Sequence, residues 1–479
     1  MSSPEMSVQD LASEKPGMPS MPVPDRDETP PVPSSIEDTG LTTEFVSDLI
    51  LKTLYAQGVL QGTELEDIIR LPFSILDDCL LDLQQRRMVQ VRGTEGHGRA
   101  GYSFDLTDQG ASRARELMSM SAYTGAAPVP IQEYWRWIEA QAVRNRRVSR
   151  AEVVEGFRHL VLDEDFIETI GPAINSGRSV FLYGDAGNGK TVIAEAIAEM
   201  FGDSMYIPHA ILAEGKVIQL YDPVVHEPIE EDDEPDEATS ELEADFLRDP
   251  TSHDQRFQLV RRPVVIVGGE LTLDQLELQH DPETGVFRAP PQVKANGGVF
   301  VIDDFGRQRV RPRDLLNRWM YPLERHIDFL ALPTGQKLPV PFDTLLIFAT
   351  NLNPTDLVEE AFLRRIRYKI LVDNPTREQY VEIFKRMCAD LDLPYSRSAV
   401  DFVYENWYTR EGLEPRKCHP RDLLNQVHDL SRYRGRTPEL SDDLLDRACR
   451  TYFMNVTDPD DLAGDRVPGQ GGIDKLKSS

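Results

Sequence analysis

Residues 179–201 read SVFLYGDAGNGKTVIAEAIAEMF: an apolar β-type run, a loop with three glycines, then apolar residues at helical spacing. The loop matches GxxxxGK(S/T) in the strand–loop–helix setting that pattern requires. Glycines at 184, 187 and 189 let the backbone curl. Successive N–H groups from Gly184 through Asp185, Ala186, Gly187, Asn188 and Gly189 then face a phosphate, and the following helix adds its dipole. Lys190 is expected to reach the β and γ phosphates of a nucleoside triphosphate, and the Thr191 hydroxyl to help hold Mg2+.

Working outward, four further segments carry chemistry. GGVFVIDDF (297–305) is a buried strand ending in two acids. Asp303 is placed to coordinate Mg2+ through water, and Asp304 to orient or deprotonate an attacking water. TLLIFATN (344–351) is a second buried strand, and the neutral amide of Asn351 at its end is suited to holding that water. AFLRRIRYKI (361–370) is a helix end followed by a strand, presenting Arg364 and Arg365 where a neighbouring subunit's nucleotide would receive a guanidinium. In CHPRDLLNQV (418–427), Pro420 starts a helix whose first turn holds Arg421. A cation there opposes the helix dipole and asks for a compensating anion, a role a γ-phosphate would fill.

The order and spacing of these five elements resemble the AAA+ ATPase family from about residue 160 to 454. ETGVFRAPPQVKANGGVFVIDDFGR (283–307) is similar to the approach to Walker B in the helix-2-insert and MoxR-like branches, and RHIDFLALPTGQKLPVPFDTLLIFATN (325–351) resembles their extra hairpin before sensor 1. The resemblance implies Walker A at Gly184 through Thr191, Walker B at Asp303 and Asp304, and sensor 1 at Asn351. It aligns Arg365 best with the arginine finger, with Arg364 as the near alternative, and Arg421 with sensor 2. ATP and Mg2+ are the implied cofactors. A ring, hexameric in the family's manner, is implied because Arg365 would complete a neighbour's site. One departure concerns rate. Walker B usually ends in Asp-Glu, and Asp304 is one C–C bond shorter, a misplacement that can cost roughly a hundredfold.

The rest of the chain bounds the setting. At 479 residues it exceeds one compact core, and at 40% hydrophobic and 28% charged it is an ordinary globular composition. No apolar run approaches the roughly 20 residues a membrane helix needs, and the N-terminus lacks a secretory pattern, so a cytoplasmic location is expected. Cys79, Cys388, Cys418 and Cys449 are too scattered for a CxxC motif and read as reduced core thiols. The net charge of −29 opposes nucleic-acid coating. It is uneven, since residues 227–245 hold eleven acids and no base.

The expected architecture is α/β: an AAA+ P-loop core with a five-stranded parallel sheet and a helical lid, preceded by a winged-helix domain and a disordered tail. Residues 1–40, with eight prolines, form the acidic tail. Residues 41–120 read as three helices and a hairpin, resembling a winged helix-turn-helix. Its groove-facing segment carries Asp77, Asp78 and Asp82 against Arg86 and Arg87, which favours protein docking over DNA. Residues 121–159 read as a linker (121–130) and an amphipathic helix packed through Trp135, ending in a solvated cluster of Arg144, Arg146, Arg147 and Arg150. The core spans 160–373 with an acidic insertion near 214–262, the lid 374–456, and a flexible tail 457–479. The expected function is an ATP-hydrolysing, ring-forming remodelling or assembly chaperone. Its client or adaptor would be a protein, bound through the winged helix or the acidic insertion. The alternatives are a DNA-acting AAA+ regulator and a nucleotide-gated scaffold with little turnover.

Overall fold

The computed structural model describes residues 23–24, 28–94, 98–201, 204–229, 253–357 and 363–453. The chain divides into two compact units. The larger takes residues up to Gly184 and then Lys190–Leu371, and the smaller takes Asp185–Gly189 with the chain from Val372 onward.

Five short runs rich in Val, Ile, Leu and Phe make the central sheet of the larger unit, the three inner ones buried on both faces, as parallel strands require, and the two edge ones partly exposed. They are β1 (Val180–Tyr183), β2 (Val264–Val267), β3 (Val299–Ile302), β4 (Leu345–Thr350) and β5 (Tyr368–Leu371). All neighbours are parallel, and the order across the sheet is β5-β1-β4-β3-β2. Thr350 lies beside Tyr183, and Ile302 beside Phe348, so the chain leaves β1, β3 and β4 at one carboxyl edge. Ligands of open α/β sheets bind at such an edge. The core beneath is aromatic: Phe181 stacks on Phe348 at 5.6 Å, Phe305 meets both edge-on, and Phe300 packs on Trp319 at 5.7 Å. Each fully buried ring contributes about 1.5–3 kcal/mol, which anchors the turn after β3 on the strands that carry the other site residues.

Toward the N-terminus, helices Thr43–Gln57, Gly62–Ile69 and Phe73–Gln85 precede strands Val89–Thr94 and Tyr102–Leu106 and helix Asp108–Met120. The pair Leu60–Gln61 joins these strands in a three-stranded antiparallel sheet. Thr42 caps the first helix, its hydroxyl accepting the Phe45 N–H at 3.2 Å, and Gly58 ends it at φ 88°. Part of the expected hairpin tip, 95–97, lies outside the described residues.

Several expectations change. Residues 28–40, placed in the acidic tail, are packed: Arg256 donates to the Thr39 carbonyl at 2.8 Å, and the Asp254 N–H donates to that of Pro30. The remainder of that tail lies outside the described residues except 23–24. The linker 121–130 is also structured, because Val129–Pro130 pairs with Ala210–Ala213 and Tyr123, Ala127 and Val129 are buried. In the helix that follows, Ile131–Ala140, the core anchor is Trp137 rather than the half-buried Trp135, with Trp137 meeting Phe257 at 5.9 Å. In the arginine cluster Arg147 and Arg150 are exposed, as a solvated end requires, while Arg144 is half-buried and tied to the core. Arg144 pairs with buried Asp343 at 2.5 Å, Arg147 donates to the Asn175 carbonyl at 2.9 Å, and Arg150 pairs with Glu168 at 2.7 Å.

Between helix Lys190–Met200 and β2 the chain, including the ends of the expected insertion, is built on β structure. Ser204–Pro208 pairs with Phe257–Arg261, and Ala210–Ala213 with Lys216–Gln219, both antiparallel. Most of its acidic run, from residue 230 on, lies outside the described residues. The expected hairpin before β4 is present as Ile327–Ala331 against Lys337–Pro341. The smaller unit contains helices Arg377–Asp390, Arg397–Val403, His419–Tyr433 and Asp442–Phe453 around Phe384, Val400, Leu424 and Leu445. The expected C-terminal tail, 457–479, lies outside the described residues. No helix among the described residues is long and apolar enough to cross a membrane.

Candidate nucleotide site

In the larger unit, the residues expected to act on a triphosphate gather at the carboxyl edge of the sheet. Helix Lys190–Met200 starts with the buried Lys190, whose ammonium donates to the Gly184 carbonyl at 2.9 Å. The Thr191 hydroxyl donates to Asp303 Oδ2 at 2.7 Å across 112 positions of sequence. Asp303 itself is fixed by backbone: its N–H donates to the Val267 carbonyl, and its Oδ1 accepts the Asp304 N–H at 2.9 Å. Asp304 is exposed and stands at φ 49°, opening a turn closed by the Arg307 N–H on its carbonyl. At the end of β4, Asn351 is half-buried, and its side-chain Oδ1 is buried without a hydrogen-bond partner. A buried acceptor left unmatched costs about 1–3 kcal/mol, the kind of strain a site residue keeps for a ligand or water. Thr350 beside it is satisfied, donating to the Phe305 carbonyl at 2.6 Å. A hydroxyl and a carboxylate already in contact, an ammonium beside them in the chain and an unmatched amide oxygen fit a Mg2+–triphosphate in their donor chemistry.

The two arginines lie just before β5. Arg364 is exposed, while Arg365 is half-buried and donates from Nε to Glu324 Oε1 at 2.5 Å. Glu324 belongs to helix Pro312–Arg325. The sequence spacing contains no sign of this pairing, because the partners are 41 positions apart.

The remaining loop residues, Asp185–Gly189, are described with the smaller unit. Gly187 and Gly189 stand at φ 83° and 86°, left-handed conformations that a side chain would strain. A Cβ on Gly187 would also lie 2.5 Å from Cys418 Sγ. The Cys418 N–H donates to the Gly187 carbonyl at 2.9 Å. Asn188 is buried, donating to Asn374 Oδ1 at 2.7 Å and accepting the Lys417 N–H at 3.2 Å. Arg416 ion-pairs with Asp185 and donates to Asn374 Oδ1 at 2.9 Å. Arg416, Lys417 and Asn374 were not anticipated, since only folding brings them to the loop. Arg421 is mostly exposed and donates to Asp422 Oδ1 at 2.9 Å. The anion expected to offset it against the helix dipole is therefore present in the next residue. Cys418 is half-buried, in contrast to the buried Cys79, Cys388 and Cys449, and all four thiols are free. Burial raises the Cys418 thiol pKa, so it stays protonated.

Five parallel strands in this order, with a glycine loop after β1 and an acid pair after β3, form an α/β fold of the P-loop type. The family model described as "Domain of unknown function (DUF8689)" matches residues 376–451, within the smaller unit. Comparison with curated proteins gives no match. Among solved structures, NtrX from Brucella abortus aligns at 15% identity and TM-score 0.34 over 56% of this chain. This chain spans about half of that one, 49% of its length. The RuvB Holliday junction branch migration motor of Thermotoga maritima aligns at 14% identity and TM-score 0.32, covering 63% of this chain and 66% of that one. A RuvB mutant from the same organism aligns at 13% identity and TM-score 0.33, over 64% and 70%.

Proposed function

We propose that this protein is a Mg2+-dependent, ATP-hydrolysing AAA+ protein that works as a ring and remodels or assembles a protein client. The reading is carried by the 2.7 Å contact between Thr191 and Asp303, which joins the helix after the glycine loop to the acid after β3. Thr191 and Asp303 would hold Mg2+, which when bound neutralises charge on the phosphate oxygens. Lys190 would exchange the Gly184 carbonyl for those oxygens. Asn351 Oδ1 would accept a hydrogen bond from the attacking water, and Asp304 would orient it or take its proton. Arg365, or Arg364 beside it, would act on a neighbouring copy's nucleotide, which requires Arg365 to leave Glu324. Arg421 is proposed as the lid cation that answers the γ-phosphate.

The finer assignments rest on residue patterns. Residues 41–120 are proposed as a winged-helix domain that recruits the client or adaptor, supported by their helix and strand order. The MoxR-like or helix-2-insert branch is supported by the hairpin before β4. A second reading, a nucleotide-gated scaffold with little turnover, is favoured by the left-handed, exposed Asp304.

Titration with labelled ATP and Mg2+, phosphate release and sedimentation test the set. Lys190→Ala should abolish saturable ATP uptake. Arg364→Ala with Arg365→Ala should spare uptake and abolish hydrolysis, and retained turnover in that double variant rejects the ring mechanism. Tight ATP binding by an assembled wild type that releases no phosphate selects the scaffold.

A further inference from the structure

The segment leaving β3 carries Arg307, Arg309, Arg311 and Arg313, with no acid between Asp304 and Asp314. Gln308 turns inward, accepting the Gly306 N–H at 2.7 Å and donating to the Asp303 carbonyl at 2.9 Å. Val310 packs on the core cluster of Phe300, Phe305 and Trp319. Arg307, Arg309, Arg311 and Arg313 are all exposed. Among the described residues, no carboxylate pairs with Arg307, Arg309 or Arg311. The row is pinned by Gln308 and Val310, so little ordering entropy is lost when it binds.

Three unpaired, adjacent cations are conspicuous on a chain of net charge −29. Two such copies repel at long range, so their association needs a local contact of opposite sign. The chain supplies the complement in residues 227–245, with eleven acids and no base. We propose that the arginine row Arg307–Arg309–Arg311 is a docking surface for the acidic run 227–245 of a second copy of this chain. The proposal deepens the self-association above and rests on it.

The test uses the full chain in three forms, followed by sedimentation at about 0.05 M and about 0.5 M salt, where screening lengths differ about threefold. One variant carries Arg307→Glu, Arg309→Glu and Arg311→Glu. The other carries Glu230→Gln, Glu231→Gln, Asp232→Asn, Asp233→Asn, Glu234→Gln, Asp236→Asn and Glu237→Gln. Wild type should associate, more weakly in high salt, and each variant alone should associate about tenfold more weakly, the sum of several exposed pairs. Mixing the variants should restore association, because one intact row then meets one intact acidic run. Labelled ATP uptake by both variants at wild-type affinity shows that they are folded. Wild-type association by either variant overturns the proposal while leaving the ring reading standing. A wild type that stays monomeric overturns both. Failure of the mixture to associate, with wild type associating, places the contact within one copy and overturns it. So does row-dependent binding of a single-stranded oligonucleotide that a 227–245 peptide fails to displace.

Discussion

Asp304 stands where the AAA+ pattern that the sequence resembles has Glu, and its backbone supplies a reason. At φ 49° the residue is left-handed, a conformation that Asp and Asn tolerate because a short polar side chain bonds locally, and that longer side chains resist. The shorter acid is thus tied to the turn that Phe305 and Gly306 must follow, with the Phe305 N–H bound to the Ala349 carbonyl. Asp304→Asn should keep the fold and ATP affinity and lower phosphate release about 10² to 10⁴-fold, the range for a lost general base. Asp304→Glu should destabilise the protein by about 1 kcal/mol in denaturant melts and leave turnover no faster. A faster Glu variant would mean that side-chain reach, and not backbone geometry, limits the site.

Among the elements, those with apolar runs or caps were readable in advance. Strands β1, β3 and β4 are buried on both faces, so each is a continuous hydrophobic word, and Thr42 marks its helix by the bond it makes. The stretch 121–130 reads as a linker in sequence because Pro, Gly and Ala signal a loop unless a partner strand, here Ala210–Ala213, covers them. Arg144 departs from a solvated helix end for a similar reason, because Asp343 is distant in sequence and adjacent in space. Helix Arg377–Asp390 is held at its start by a reciprocal pair. The Thr376 hydroxyl accepts the Gln379 N–H at 3.2 Å, and Gln379 Oε1 accepts the Thr376 N–H at 2.9 Å. Thr376→Ala should cost about 1 kcal/mol, and Thr376→Ser much less, in the unfolding transition of the smaller unit. Equal losses would show that the methyl group matters rather than the cap.

Across the whole molecule, pH acts through histidines that are buried or half-buried. His209, His226 and His419 are each lowered from 6.5 to about 4, chiefly by burial. His226 is held neutral by geometry as well, with Nδ1 accepting the Asp222 N–H and Nε2 facing the Lys294 carbonyl, both at 2.9 Å. Below 6.5 the unfolded chain binds protons that the folded one refuses, so their contribution is complete above 6.5 and lost as pH falls toward 4. Denaturant midpoints should therefore drop between pH 6.5 and 4, and His226→Gln should flatten that slope. A midpoint constant across the window contradicts the assignment. By itself, the sequence determined the glycine loop, the acids and amide ending buried strands, and the α/β class, because these depend on local backbone chemistry and contiguous hydrophobicity. Only tertiary structure decided that Arg365 rests on Glu324, that Arg416 and Asn374 reach the glycine loop, and that residues 28–40 are packed. Pairings of that kind depend on which distant segments share space, and no short window of sequence encodes them.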